Sequence, residues 1–517
     1  VRLPFLLFFI FTLHSTLAQN TEGDIEVVYG PMFSVDKRSI PTQMVGADER
    51  GIYMVYSRGK DGRGANYLQK FSFDLTPLQE VKLSTKSLRT ETEKVLMLDG
   101  DLFQIMFRDT GRKRTFYTQP ISKENFTLGK VSELGSYTTP KGLVNLPYKH
   151  VNIAPDSSYV SLVWSIPSKY KEHTRFEAIV LDRKMEKVWS QRYELPYLNK
   201  LLDLQEFRVD KEGVIYALAK RNFDSRRNRV AGKVNYDYVL FRLPPGGDIE
   251  TLEIETEGNY LRDMKLEFAP DGDIICAGFY INDRDEGAIG AFYLKYDVKK
   301  EEVVASEYRE FGREVFLQNK TREEADRTER RMNRGGAKEL PGHVIDRLIP
   351  MSDGSIRMVG EQRRVYQASS GGAGSGSGAI NYVNHDIVVV NIRKDGEIEW
   401  AKLIGKRQHT VNDGAVYSSY ALMKYHDQLT FVFNDNAANL DYKGMGKIAR
   451  MAKNSATVIT SARVTPAGDI ERTALFRRGE AEIKIRPSFS YQLNEKELLL
   501  FGHRKLKEQR FVILKFK

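Results

Sequence analysis

Apolar residues alternate with polar or small ones in short runs that come in pairs, each pair joined by a polar turn of two or three residues. The clearest pairs are EFRVDKEGVIYALAK at 206–220, LEFAPDGDIICAGFY at 266–280, DRLIPMSDGSIRMVGE at 346–361 and SYQLNEKELLLFGH at 490–503. Weaker pairs turn near Asp48, Asp99, Asp156 and His426. The turns carry the Asp, Asn, Gly and Lys that a tight antiparallel reversal tolerates, so each pair predicts a β-hairpin. They recur at intervals of roughly 50–80 residues along the chain.

After a variable loop a third and a fourth strand follow the first pair in every unit but the last. Examples are FEAIVLDRKMEKVWSQRYEL at 176–195, YVLFRLPPGGDIETLEIE at 238–255, GAFYLKYDVKKEEVVASEY at 290–308 and DIVVVNIRKDGEIEWAKLI at 386–404. Four antiparallel strands per unit over eight units predict an all-β chain, an eight-bladed β-propeller of four-stranded antiparallel blades, with seven blades as the alternative count. The last unit, 488–516, has only three strands, and DIEVVYG at 24–30 is expected to supply the fourth and close the ring. In two units an Asp-containing turn precedes a Trp: Asp182 before Trp189, and Asp395-Gly396 before Trp400. This resembles the Trp-bearing hairpins of quinoprotein-like and WD-like propellers, and it implies indoles packed between blades. The resemblance is to an architecture and carries no specific family and no cofactor.

The first residues, VRLPFLLFFIFTLHSTLAQN, combine a charge at Arg2, an apolar core from Leu3 to Leu13, and Thr16 and Ala18 ahead of Gln19. That pattern predicts a signal peptide over 1–18 and a single propeller domain over 19–517. The apolar run is too short to span a bilayer, and no later stretch qualifies. The expected location is therefore outside the cytoplasm, in the periplasm or at the cell surface. A single cysteine, Cys276, sits in an apolar strand and reads as a small core residue.

Charge adds a direction. The chain carries 79 Lys and Arg against 69 Asp and Glu. The loops joining second to third strands hold about 25 basic and about 11 acidic residues, so the excess is concentrated on one face of the ring. Arg112 and Arg114, and Arg226, Arg227 and Arg229, are among the densest contributions. Aromatic residues interleave with them, a combination that suits an anionic glycan or a protein partner; export argues against nucleic acid. Two insertions belong to the same face. Segment 312–342 predicts a solvated helix from about Arg322 to Met332, ended by Gly335-Gly336, and 369–378, SSGGAGSGSG, predicts a flexible tether.

Sequence motifs for chemistry are sparse. There is no His-Glu-x-x-His helix, no Walker loop and no nucleophile elbow, and the eight His residues lack ligand spacing, so neither a metal nor a cofactor is expected. One constellation remains. The innermost strands should point Glu206 and Arg208, Asp263 and Lys265, and His343, Asp346 and Arg347 toward the central channel, as a charged-ligand site or as a salt-bridge network filling it. The resulting expectation is a non-catalytic binding or scaffold propeller whose basic loop face engages an envelope protein or anionic glycan. The alternative is a propeller enzyme, a hydrolase or lyase, acting on an acidic polysaccharide.

Overall fold

The computed structural model describes residues 19–517 apart from short stretches at 23, 36–38, 60–63, 84–89, 144–148, 231–232, 255–257, 283–286, 337, 369–377, 452–455 and 506. The expected signal peptide at 1–18 and nearly all of the tether at 369–378 lie outside the described residues.

Eight antiparallel sheets follow one another along the chain. Blades 1 to 7 occupy 39–82, 91–138, 149–198, 202–253, 260–310, 343–404 and 421–477, each with four strands in spatial order of sequence. Blade 8 takes Tyr491–Asn494, Glu497–Lys505 and Glu508–Phe516 from the end of the chain and its fourth strand, Ile25–Tyr29, from near the start. That closure has a defined register, with Ile25 opposite Phe516 and Tyr29 opposite Val512, as the three-strand last unit predicts.

Apolar positions on alternate residues decide how the blades meet. Among the described residues the buried side chains fall into eight clusters, one between each pair of neighbouring blades, including the pair that joins blade 8 to blade 1. Every second strand is buried on both faces and therefore reads as a nearly continuous apolar run, such as Ile274–Ile281 with Cys276 inside it. Burial pushes the Cys276 thiol up, away from nucleophilic use. First strands of blades 1 and 2, 3 and 4, 4 and 5, 5 and 6, and 8 and 1 touch, which puts the first strands at the axis.

Two further devices tie blades together. The indole Nε1 of Trp189 donates to Gly213 O of the blade 4 turn, and that of Trp400 donates to Pro466 O of the blade 7 turn, each at 3.0 Å. Gly468 beside Trp400 has φ 84°, and a Cβ there would lie 2.7 Å from the indole, so glycine is required for both reasons. Gln43 of blade 1 accepts from Val95 N at 3.1 Å and donates to Val95 O at 2.6 Å in blade 2; Gln492 of blade 8 does the same to Lys424 of blade 7 at 3.2 and 2.8 Å.

The insertion between blades 5 and 6 is anchored. A short 3-10 turn, Arg313–Phe316, buries Val315 and Phe316 in the blade 5–6 cluster, where Met332 and Leu340 join them. Helix α1, Arg322–Asn333, starts at a capping box in which Glu324 N donates to Thr321 Oγ1 and Thr321 N donates to Glu324 Oε2. The four anchors are spread over 26 residues and make no helical stripe, which is why the segment reads as solvated throughout in the sequence.

Candidate ligand cleft beneath the helical insertion

The inner strands of blades 1, 2, 4, 5, 6 and 8 each carry a register shift against their second strand, which turns the flanking side chains toward the next blade. Glu206 thereby accepts Leu266 N of blade 5 at 2.9 Å through one oxygen and pairs with Arg208 at 2.6 Å through the other. Lys265 stands 3.8 Å from Glu206, and Arg208 also approaches Glu267 at 3.8 Å and Asn152 at 3.4 Å. Asp263 accepts Ile345 N of blade 6 at 2.8 Å, and burial raises its pKa. Asp346 pairs with Arg363 at 2.7 Å and accepts Tyr420 Oη of blade 7 at 2.6 Å, while Arg347 is exposed. These axial carboxylates are committed to neighbouring strands, an arrangement that locks the ring.

The loop cations are committed in a similar way. Arg114 is buried against Phe107 and pairs with Asp109 at 2.6 Å. Arg226 donates to Lys200 O at 3.0 Å and Asn199 O at 2.9 Å. Arg229 reaches Asn282 O at 3.4 Å, whereas Arg112 and Arg227 are exposed. Elsewhere on the face, Arg58 pairs with Glu80, Arg221 with Asp237 and Glu253, and Arg504 with Glu482 and Glu508. Most of these carboxylates stand on strands outside the loops.

At the blade 6–7 joint a polar network fills space that apolar residues fill elsewhere. Lys406 and Glu361 are both 0% exposed and meet at 2.6 Å; Lys406 also donates to Gln408 Oε1 at 3.0 Å and Asn384 O at 3.2 Å. The second Glu361 oxygen accepts Arg363 Nε at 2.7 Å and Asn384 Nδ2 at 2.8 Å. Burial alone would raise the Glu361 pKa, but the Lys406 and Arg363 charges hold it below the usual carboxylate range. None of this is visible in the sequence, because Glu361 lies on the second strand of blade 6 and Lys406 in the connection leaving that blade, 45 residues apart.

Beside this network a cleft opens between α1 and the loops of blades 6 and 7. It comprises two adjoining hollows of about 420 and 490 Å³ that share Asn319, Glu324, Gln362, Asp386 and Arg407. Lys320 and Arg327 line the first, Lys447 the second. Among the described residues no carboxylate lies within ion-pair distance of the Lys320, Arg327, Arg407 or Lys447 side chains, whereas Asp386 is capped by Lys406 N at 3.1 Å. Burial raises the Asp386 pKa, against the pull of that bond and of the Lys406 and Arg407 charges. His343, 3% exposed, lines the first hollow, and neither ring nitrogen makes a hydrogen bond; His385 lines the second. No group of three His, Cys, Asp or Glu among the described residues is placed to hold a metal ion.

Burial, with Arg262 adding repulsion, pushes the His343 pKa down to about 4, and burial beside Arg486 does the same to His503. The unfolded chain binds these protons near pH 6.5, so stability is complete above that value and is lost as pH falls toward 4. Each imidazole is expected to contribute about 2 kcal/mol to the loss by pH 5. Urea midpoints between pH 7.5 and 5 for the parent and for His343→Gln measure this, because the difference in slope isolates one imidazole. Parallel slopes would refute it.

No family model and no curated protein matches the chain. Solved structures with the same fold do. The WD40 domain of SCAP from fission yeast is 6% identical, covering 97% of this chain and 98% of its own at a TM-score of 0.43. The Dos1 propeller is 8% identical, with 93% and 94% covered and a TM-score of 0.39. An oligogalacturonate lyase in complex with manganese is 11% identical, with 97% and 96% covered and a TM-score of 0.37. The chain is a β-propeller. These likenesses are to the propeller fold alone.

Proposed function

We propose that this propeller is a binding protein that holds an anionic ligand on the face bearing the second-to-third-strand loops, with the cleft between α1 and blades 6 and 7 as its site. The observation that carries this reading is a contrast in pairing. Axial and loop charges are largely satisfied within the fold, while Lys320, Arg327, Arg407 and Lys447 converge on one polar cleft with no ion-pair partner among the described residues. Such groups gain more from an incoming anion than cations already spent on local carboxylates. The signal-like pattern of residues 1–18 supports a binding event in the periplasm or at the cell surface, with an anionic glycan or an acidic envelope protein as partner. Among the described residues no helix is long and apolar enough to cross a membrane.

The test is binding of the purified protein to heparin and to polygalacturonate at about 0.1 M salt, where screening acts over about 10 Å. Arg407→Ser with Lys447→Ser is expected to weaken binding about tenfold, a gap that closes as salt rises. Affinity that ignores the double substitution would rule the cleft out. A second reading, turnover of an acidic polysaccharide, is favoured by His343, His385 and Asp386 around the same cleft. Release of reducing ends from polygalacturonate, abolished by His385→Ala, would establish it in place of simple binding.

A further inference from the structure

A third hollow of about 510 Å³ continues the cleft outward. It is lined by Arg327, Arg330, Arg331, Arg334 and Gly336, and it shares Arg327 with the hollow beneath α1. The spacing i, i+3, i+4 puts Arg327, Arg330 and Arg331 on one face of α1, and Arg334, its C-cap, extends the row to about 10 Å. Arg330 and Arg334 are exposed and, among the described residues, have no carboxylate in ion-pair reach; Arg331 has only Glu339, at 3.7 Å. Like charges in such a row repel one another, a cost that the anchoring of α1 by Met332, Val315 and Phe316 covers and that an anion would relieve.

Resting on the reading above, we propose that the ligand is a linear uronate-type polysaccharide that occupies all three hollows, from Lys447 through Arg407 and Arg327 to Arg334. Length follows from continuity, because each hollow shares lining residues with the next. Chemical class follows from what else lines them. Glu324, Asp386 and Glu339 accept hydrogen bonds, while Asn319 and Gln362 both donate and accept, and that mixture matches a chain in which each ring offers hydroxyls beside one carboxylate. A polymer with a charge at every unit and no hydroxyls would meet those three carboxylates as repulsion. Among the described residues the only aromatic ring lining the three hollows besides the two imidazoles is Phe316, which is buried, so there is no platform for stacked bases.

Calorimetry with oligogalacturonates as monomer, dimer, tetramer and octamer reads this directly. The octamer is expected to bind at least about tenfold more tightly than the dimer. Arg330→Gln with Arg334→Gln, chosen because Gln keeps helix propensity close to that of Arg, should bring the octamer to dimer strength and leave the dimer unchanged. Arg407→Ser with Lys447→Ser should weaken every length. Affinity independent of length, or an octamer indifferent to the arginine pair, overturns the track while the cleft reading survives on the dimer. Tighter binding of a poly-glutamate or a deoxythymidine oligomer of equal charge overturns the carbohydrate class. Length dependence that ignores Arg407 and Lys447 refutes the cleft as anchor, and failure of every anion to bind overturns both readings.

Discussion

Glu361→Leu is expected to cost about 3–5 kcal/mol of stability, because it removes the carboxylate that pairs with the fully buried Lys406 ammonium. Lys406→Met should cost less, since Arg363 and Asn384 still hold the Glu361 carboxylate. Making both substitutions together should recover part of the loss, as two apolar side chains need no desolvation of charge. The pair also sets an acid limit. The Glu361 pKa is depressed on folding, so its contribution is present above the unfolded value and is lost as pH falls through the folded one. Urea denaturation of the three variants at neutral pH measures the ordering. A Glu361→Leu protein within about 1 kcal/mol of the parent would show that the pair contributes little.

Removal of residues 19–30 should be more damaging still. Ile25, Val27, Val28 and Tyr29 are all buried in the clusters that join blade 8 to blades 7 and 1. At about 1.5–3 kcal/mol per side chain their loss is comparable with the whole stability of an ordinary domain. It also leaves Glu508–Phe516 as an open edge able to pair with another molecule. The shortened protein is expected to aggregate or to melt far below the parent, and a peptide covering 19–34 added in trans should restore the midpoint in part. Thermal unfolding followed with size-exclusion chromatography decides it, and a parent-like midpoint for the shortened monomer would contradict ring closure by this strand.

The hairpin pattern made the fold legible because its physics is local. In the turn at 210–213 the Asp210 carboxylate accepts from Glu212 N at 2.9 Å and Val214 N at 2.8 Å, a bond that needs only residues a few positions apart. Comparable Asp turns stand at Asp353 and Asp395. The Trp189 and Trp400 hairpins were legible for the same reason, and the structure adds only the partner, the turn of the following blade. Ring closure could be read as well, since a last unit one strand short has a single free edge to fill.

Charge was legible as a count, but its pairing was not. The composition of the loops raised Arg114 and Arg229 as candidates, yet Arg114 folds onto Asp109 and Phe107, and Arg221 is neutralised by Glu253, 32 residues away on another strand. Which cations remain unpaired depends on where every carboxylate in the neighbourhood ends up. The cleft has the same origin: Asn319, Arg407 and Lys447 come from three separate connections and Asp386 from the third strand of blade 6. Their approach is set by Val315 and Phe316 entering the blade 5–6 core, a contact that a charged, stripeless segment does not announce. The sequence alone thus determined the four-stranded blades and the closing strand, and set eight blades ahead of seven, because alternation and turn chemistry act over a few residues. Only the tertiary structure decided which charges pair within the fold and where a cleft opens, because ion pairing and concavity depend on distances between residues far apart along the chain.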